Sequence, residues 1–540
     1  MKARERSMTK KENKTAILTV LLMIFATLCA KATGMLRQMM TASIFAAGME
    51  GVAFSAASKI PFAIFDMLFS TAILGSFLPI YRGNLCSDEK RADAFSASFF
   101  TFTGVVTALV SLLGTLLARP ILLFAAPNLD AQTADLAVSL LRIMFPAMIF
   151  AGLAYTLIGI MQSHEKYLLP AMVSGISNAV IIAYLAIFPP FLSKTTAIYG
   201  LSAVYLLSWA VQFCALALPL LKIRKMPHFS LNFRNFDLIL AEKRAIPVMF
   251  GAWLIPMTTL IANAFSSYIA PESIEENALQ GAAIVAYENA FSVFSIAGGL
   301  MTYGICNYLF PKLSAKFAGG DKEGFGASAR IGLFLSLAVT LPIAIAVFLL
   351  SDEIVCVLYL RGSFTEGLAR AAAQSLKMLS LALPAYSVIE FLSRTSYSCG
   401  KVQYPMAGAL CGILAMLSSA LLFRLNDALS VSTVALSAVL GLTASALTQL
   451  LCTRTLLAQT DRKGMLKKIL VWLIGVSLSA FVMLSIQEIL KKIWQKPTAF
   501  QNLVIIAIVF LLGFMVYLVW IFLFRKMIFF KTSSGKEGTF

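Results

Sequence analysis

Long apolar runs recur from one end of the chain to the other, each parted from the next by a short polar stretch. About 20 consecutive apolar residues suffice to cross the hydrocarbon core as a helix. The pattern predicts fourteen spans, at 15–45, 52–81, 94–117, 134–161, 168–188, 198–221, 245–269, 281–310, 327–350, 367–397, 405–422, 431–457, 466–490 and 500–524. The runs are continuous and do not alternate with period 2, which excludes a membrane β-barrel. No polar stretch is long enough for a separate soluble domain. The expected fold class is therefore all-α: a polytopic membrane protein, with about 14 transmembrane helices in two six-helix lobes plus two C-terminal helices.

Composition agrees, with 59% hydrophobic and 13% charged residues, where soluble domains carry roughly 25% charged. A cytosolic enzyme is excluded. Lys+Arg 44 against Asp+Glu 26 gives a net charge of +18, which in a membrane protein reports topology before nucleic acid. With the N-terminus inside, about 30 of the 44 cations fall on cytoplasmic segments and about 8 on external loops. The external stretch 271–280 carries Glu272, Glu275 and Glu276 and no cation. Both termini are expected in the cytoplasm, in a multi-pass protein of the cytoplasmic membrane without a nucleic-acid partner. The basic start, MKARERSMTKKENK, precedes an apolar run too long for a signal peptide, so it reads as the lead into a retained helix.

The organisation divides as a tail at 1–14, a first lobe at 15–221, a basic amphipathic connection at 222–244, a second lobe at 245–457, two more helices at 458–526 and a tail at 527–540. Segment 133–170 resembles 368–405 at an offset of 235, with Arg142 meeting Lys377, Lys166 meeting Lys401 and Pro170 meeting Pro405. Pro79 and Pro311 form a second echo. Two copies of a six-span unit enter the membrane from the same side, a parallel repeat of the kind that encloses a substrate path in transporters.

Ionisable side chains within spans are costly, so each is a candidate site. Lys31, Arg37, Lys59 and Arg142 make the first lobe net cationic at depth, which suits an anionic ligand such as a diphosphate. Lys31 and Arg37, six residues apart, project about 120° from each other. Lys59 and Asp66, seven apart, would share a helix face. Asp66, Glu288, Lys377, Glu390 and Arg394 are coupling or structural candidates. Glu390 and Arg394 have the spacing of an intrahelical ion pair. Glu288 lies either buried, where it would carry a proton or help bind a cation, or in water at an external mouth.

The eight cysteines are scattered, and His164 and His228 have no nearby ligand partner, so no metal site is expected. The Gly-rich run 317–328 lacks the strand of a phosphate-binding loop, and no catalytic constellation is visible. The protein reads as neither an enzyme nor a cofactor carrier. Any transport would run on a sodium or proton gradient or on the membrane potential.

The run KATGMLRQMMTASIFAAGMEGVAFSAASKIPFAIFDMLFSTAILGSFLPIY, at 31–81, resembles the opening of the MurJ/MviN family of the MOP exporter superfamily. LYLRGSFTEGLA and LALPAYSVIEFLSRTSYSCGKVQYP, at 358–369 and 381–405, look like its R-G-x-F segment and following helix, and HEKYLLPAMVSGISNA resembles its fifth helix. The resemblance implies a flippase for lipid II, with Lys31, Arg37 and Lys59 at cavity cations, a structural turn at Arg361 and Gly362, and a groove for the lipid tail in the last two helices. It also implies a lipid-linked anionic substrate, membrane lipids and the cell-wall synthesis machinery as partners. Val52, Phe65, Asp66 and Ala290 or Ser292 stand where the family keeps other charges. Another lipid-linked glycan therefore stays open as substrate. A cation-coupled multidrug exporter and a non-transporting scaffold are the remaining alternatives.

Overall fold

Side-chain caps open helices where the polar stretches end: Asp88, Asp130, Ser193, Asp321, Thr365 and Ser430 each accept a hydrogen bond from a backbone N–H of the first turn. The computed structural model describes residues 2–70, 73–457, 462–495 and 497–525, and the regular structure among them is helical. The chain divides into two compact units, Met1–Pro256 and Met257–Phe540.

The first unit runs through α1 (Lys2–Phe45), α2 (Met49–Ser58), α3 (Ile60–Phe65), two π-helical stretches (Asp66–Ser70 and Ile73–Phe77), α4 (Leu78–Ser87), α5 (Glu89–Leu116), α6 (Ala118–Ala125), α7 (Ala131–Met144), α8 (Ala147–Ser163), α9 (Leu168–Ile187), α10 (Lys194–Lys222) and α11 (Phe236–Ala252). The division falls early in α12 (Leu254–Ser266). The second unit continues through α13 (Ala282–Ala318), α14 (Lys322–Leu349), α15 (Ser351–Tyr359), α16 (Glu366–Ser380), α17 (Leu383–Ser398), α18 (Gln403–Leu425), α19 (Val431–Thr453), α20 (Arg462–Ile493) and α21 (Ala499–Leu523).

Within the first unit α9 packs on α1 and α10, while α8 packs on α5 and α10. Phe77 anchors the core, its ring 5.2 Å from Tyr81, 5.3 Å from Phe95 and 4.8 Å from Phe99. Within the second unit α18 pairs with α19, and α13 with α16 and α17. The two last helices pack on each other and on α14 and α15. Trp472 donates to the Tyr517 hydroxyl at 2.8 Å, and that hydroxyl donates to the Ala338 carbonyl at 2.5 Å. A buried polar relay thus ties α20 and α21 to α14.

The sequence echo is a structural repeat. Gly48 and Gly281 precede α2 and α13; α5 and α14 are both 28 residues long, at a shift of 233 (Glu89 to Lys322). Two residues inserted in the next loop raise the shift to 235, the offset read from the sequence, and α7 and α16 then start in register (Ala131 to Glu366). The broken pairs α7–α8 and α16–α17 end together as well, at Ser163 and Ser398. Even the C-terminal turns match. Lys166 N–H bonds the Met161 carbonyl and Lys401 N–H the Ser396 carbonyl, both at 2.9 Å, with Glu165 and Gly400 left-handed at φ 61° and 71°.

A left-handed residue with a Cβ is strained by about 1 kcal/mol, and glycine is not. Gly400→Ala is expected to lower stability by about 1 kcal/mol and Glu165→Gly to raise it by about as much. Thermal unfolding of the two variants in detergent, with shifts of opposite sign, checks this.

Among the described residues ten continuous helical segments, Met49–Phe69 and Ala131–Ser163 among them, are long and apolar enough to span a membrane, and the bent pairs α11–α12 (44°) and α16–α17 (50°) make twelve. Helices α1 and α13 occupy the places of the first and eighth expected spans. Three details differ from expectation. The second span has one irregular residue, Lys59, after Ser58, where Pro61 removes the N–H that would bond Ala57 without ending the helical run Met49–Phe69; its counterpart in α13, at the 233 shift, is Phe294 in an unbroken helix. The seventh span starts at Phe236 rather than 245, because Asn235 caps it by accepting from the Asp237 and Leu238 N–H groups. The helical part of the 222–244 connection therefore belongs to the first unit. Residues 2–14 extend α1 and do not form a separate tail, and 527–540 lie outside the described residues.

Candidate functional site

Helices α1, α3 and α10 bring an arginine and a row of aromatic rings together in the first unit. Arg37 on α1 donates from Nη1 to the Tyr205 hydroxyl of α10, and its guanidinium carbon lies 5.1 Å from the centroid of that ring. Tyr205 in turn meets Phe54 at 5.7 Å and Phe62 at 6.2 Å. Lys59, half-buried at the α2–α3 junction, lies on the same stretch of chain as those two phenylalanines. The guanidinium fork, always charged and held on one side by a ring, presents its remaining donors for a planar or tetrahedral anion.

Lys31 is half-buried one and a half turns earlier on α1, and Arg142 is exposed on α7; among the described residues neither joins the aromatic row. Arg142 and its repeat partner Lys377 both stand in the last turn of a helix, α7 and α16, where a cation complements the helix dipole. The Lys377 ammonium also lies 5.1 Å from the Phe348 ring centroid. Asp66 is exposed at the start of the first π-helical stretch. Lys59 and Asp66 flank α3 with right-handed helical backbone at both positions, so their two-turn spacing keeps them on one side of that helix.

In the second unit Glu288 is 2% exposed and accepts from Asn263 Nδ2 at 2.9 Å. Of its two expected placements, the buried one holds. Glu390 and Arg394 form the expected i,i+4 pair at 3.7 Å, each side chain 32% exposed, an arrangement of mutual neutralisation. Arg361 donates to the Val357 carbonyl, Gly362 is left-handed, and Phe364 is buried against Tyr359 at 5.5 Å. This turn is structural.

Two polar clusters had no expectation attached. Asp237 accepts from Arg91 Nε and Nη2, both at 2.7 Å, and from Asn84 Nδ2 at 2.9 Å, joining the start of α11 to α4 and α5. Beside it Lys225 bonds Glu89 and lies 3.7 Å from Asp93. The Glu89 hydrogen bond holds Lys225 above the usual lysine range, while burial, with Lys225 and Lys166 nearby, pulls His164 below the usual histidine value. The second cluster is Glu353 of α15, which is buried and accepts from Gln487 and Lys491 of α20, each at 2.9 Å. An acidic residue in a strongly basic, partly apolar connection was the available signal for Asp237.

The fold has solved counterparts. A structure described as lipid II flippase MurJ in an inward closed conformation superposes with a TM-score of 0.74 at 20% identity, covering 94% of this chain and 100% of that one. An inward-facing multidrug resistance MATE family transporter of the MOP superfamily gives 0.65 at 11% identity, covering 81% and 97%. The fold is thus the duplicated, multi-pass helical fold of these two solved proteins. Residues 41–505 match the family model described as lipid II flippase MurJ, and the chain belongs to that family. The probable lipid II flippase MurJ of Buchnera aphidicola is 26% identical over 385 residues, 70% of this chain and 72% of that protein. The family match begins after Lys31 and Arg37, so the assignment does not depend on either cation.

Proposed function

We propose that this chain flips lipid II from the inner to the outer leaflet of the cytoplasmic membrane, its duplicated halves alternating between inward-open and outward-open states. The match to the lipid II flippase family over residues 41–505 carries the reading. Arg37 takes the diphosphate, oriented by Tyr205, and Lys31 and Lys59 add positive charge along the same path. Arg142 has an exposed, helix-terminal place and is assigned to structure. The protein makes and breaks no covalent bond. A sodium or proton gradient or the membrane potential drives the cycle, and buried Glu288 is the coupling candidate. Both termini face the cytoplasm, and enzymes of cell-wall synthesis supply and consume the substrate.

The test is depletion of the protein in its host, followed by addition of a toxin that degrades lipid II from outside. Protection of lipid II on depletion, reversed by the wild-type chain, is the expected result. Unchanged access in a host without a second flippase overturns the reading in favour of another lipid-linked glycan. An acid cavity, which a drug exporter would use to collect organic cations, is not supported by the basic residues on α1 and at the α2–α3 junction.

A further inference from the structure

Beside Arg37 the first unit carries aromatic rings that differ from those of its core. Phe77, Phe95 and Phe100 are fully buried, as core rings should be. Phe62, Tyr205 and Trp209 remain partly exposed. Tyr205 and Trp209 lie four residues apart on one face of α10, near the middle of a 29-residue helix. Tyr and Trp in membrane proteins collect at the water interfaces, where a ring has both an apolar and a polar neighbour. Two of them half-exposed at mid-helix call for a ligand with the same mixed character.

The row is a stack with one tilted end, Phe62 and Tyr205 standing at 52°, so a ligand meets its outer ring faces. Phe62 and Trp209 stack with centroids 5.1 Å apart and planes 22° apart, and Phe62 continues to Tyr205 at 6.2 Å. Tyr205 is the residue that holds Arg37. Aromatic faces carry negative charge density and attract polarised C–H groups. A pyranose ring offers such C–H groups on one face and hydroxyls on its rim. In lipid II the first sugar is bonded directly to the diphosphate. An anion held at Arg37 therefore places that sugar within a ring's length of the row.

We infer that Phe62, Tyr205 and Trp209 form a sugar platform, receiving the diphosphate-linked pyranose of the substrate while Arg37 holds the diphosphate. The inference rests on the functional reading above. A polyprenyl tail is the other neighbour of the diphosphate, but a flexible hydrocarbon gains little from flat stacked faces and is a poor neighbour for a guanidinium and a phenol hydroxyl.

The test measures binding to the full-length chain in detergent with two ligands, lipid II and undecaprenyl diphosphate, which share tail and diphosphate and differ in the glycan. Trp209→Leu and Phe62→Leu should each weaken lipid II binding by about tenfold and leave undecaprenyl diphosphate unchanged, whereas Arg37→Gln weakens both. Trp209→Phe, which keeps a ring face and the packing, should stay within about threefold of wild type for lipid II and guards against misfolding of the leucine variants. Equal losses for both ligands would assign the row to the tail and overturn the proposal, as would no loss for either. A wild-type chain that binds undecaprenyl diphosphate but not lipid II would instead remove the functional reading itself.

Discussion

Arg37→Glu is expected to stop lipid II flipping while the protein still folds and inserts. A hydrogen bond to a charged group is worth about 1.5–3 kcal/mol, which alone is a 10- to 150-fold effect. Reversal adds repulsion between the new carboxylate and the diphosphate, so the loss should exceed about 100-fold. The fold should tolerate the change. Arg37 is partly exposed, and the Tyr205 hydroxyl that now accepts from it can turn and donate to a glutamate. Arg37→Lys keeps the charge but loses the planar fork and its fit over the Tyr205 ring, and should retain activity reduced by about tenfold. The measurement is rescue of toxin-accessible lipid II in depleted cells, with thermal unfolding of the purified variants as the control for folding. Near-normal rescue by a folded Arg37→Glu protein would remove Arg37 from the substrate path.

What the sequence shows of this protein follows from how each feature is encoded. Helices and their repeat are written locally, in apolar run length, caps and glycine positions, and for that reason the 235 offset reappears down to the turns at Glu165 and Gly400. The irregular residue after Ser58 is local in the same way, because Pro61 lacks the N–H that the helix ladder needs there. The site is written in pairs distant along the chain. Arg37 and Tyr205 are 168 residues apart, and a tyrosine or tryptophan within an apolar run has the pattern of an ordinary core residue. Arg37 therefore stands out in the sequence as a charge within a span, and the rings beside it do not. Loop charges hide their role for the opposite reason. Glu353 and Asp237 stand near span ends, where water is the usual partner, and only the folded chain shows that both are buried against donors from other helices.

Asp237 should therefore matter more than a residue of a connecting segment normally does. Its carboxylate is 5% exposed and receives both arms of Arg91 as well as Asn84, whereas the Arg91 side chain is 51% exposed. Removing a fully buried partner from an ion pair strands a charge at about 3–5 kcal/mol. Here the arginine left behind can turn to water, so Asp237→Ala is expected to cost about 1–3 kcal/mol, set mainly by the lost charge-assisted hydrogen bonds. The loss should be local before it is global. The carboxylate also sits in the first turn of α11, where it favours the helix dipole, and Asn235 caps the same turn. Without it the segment 223–235 has Lys225, paired with Glu89 and Asp93, as its remaining charged tether to α5 among the contacts described. That segment contains Arg224, Lys225 and Arg234, three sites for trypsin. Cleavage tracks the population of the opened form, and each 1.4 kcal/mol is a factor of ten. Limited trypsinolysis of the folded protein in detergent should thus cut the Asp237→Ala connection about 5- to 150-fold faster than wild type. Asp237→Asn, which keeps an acceptor for Arg91 but not the charge, should fall between. An unchanged cleavage rate would mean that α11 is held to the first unit by its apolar packing and not by this carboxylate.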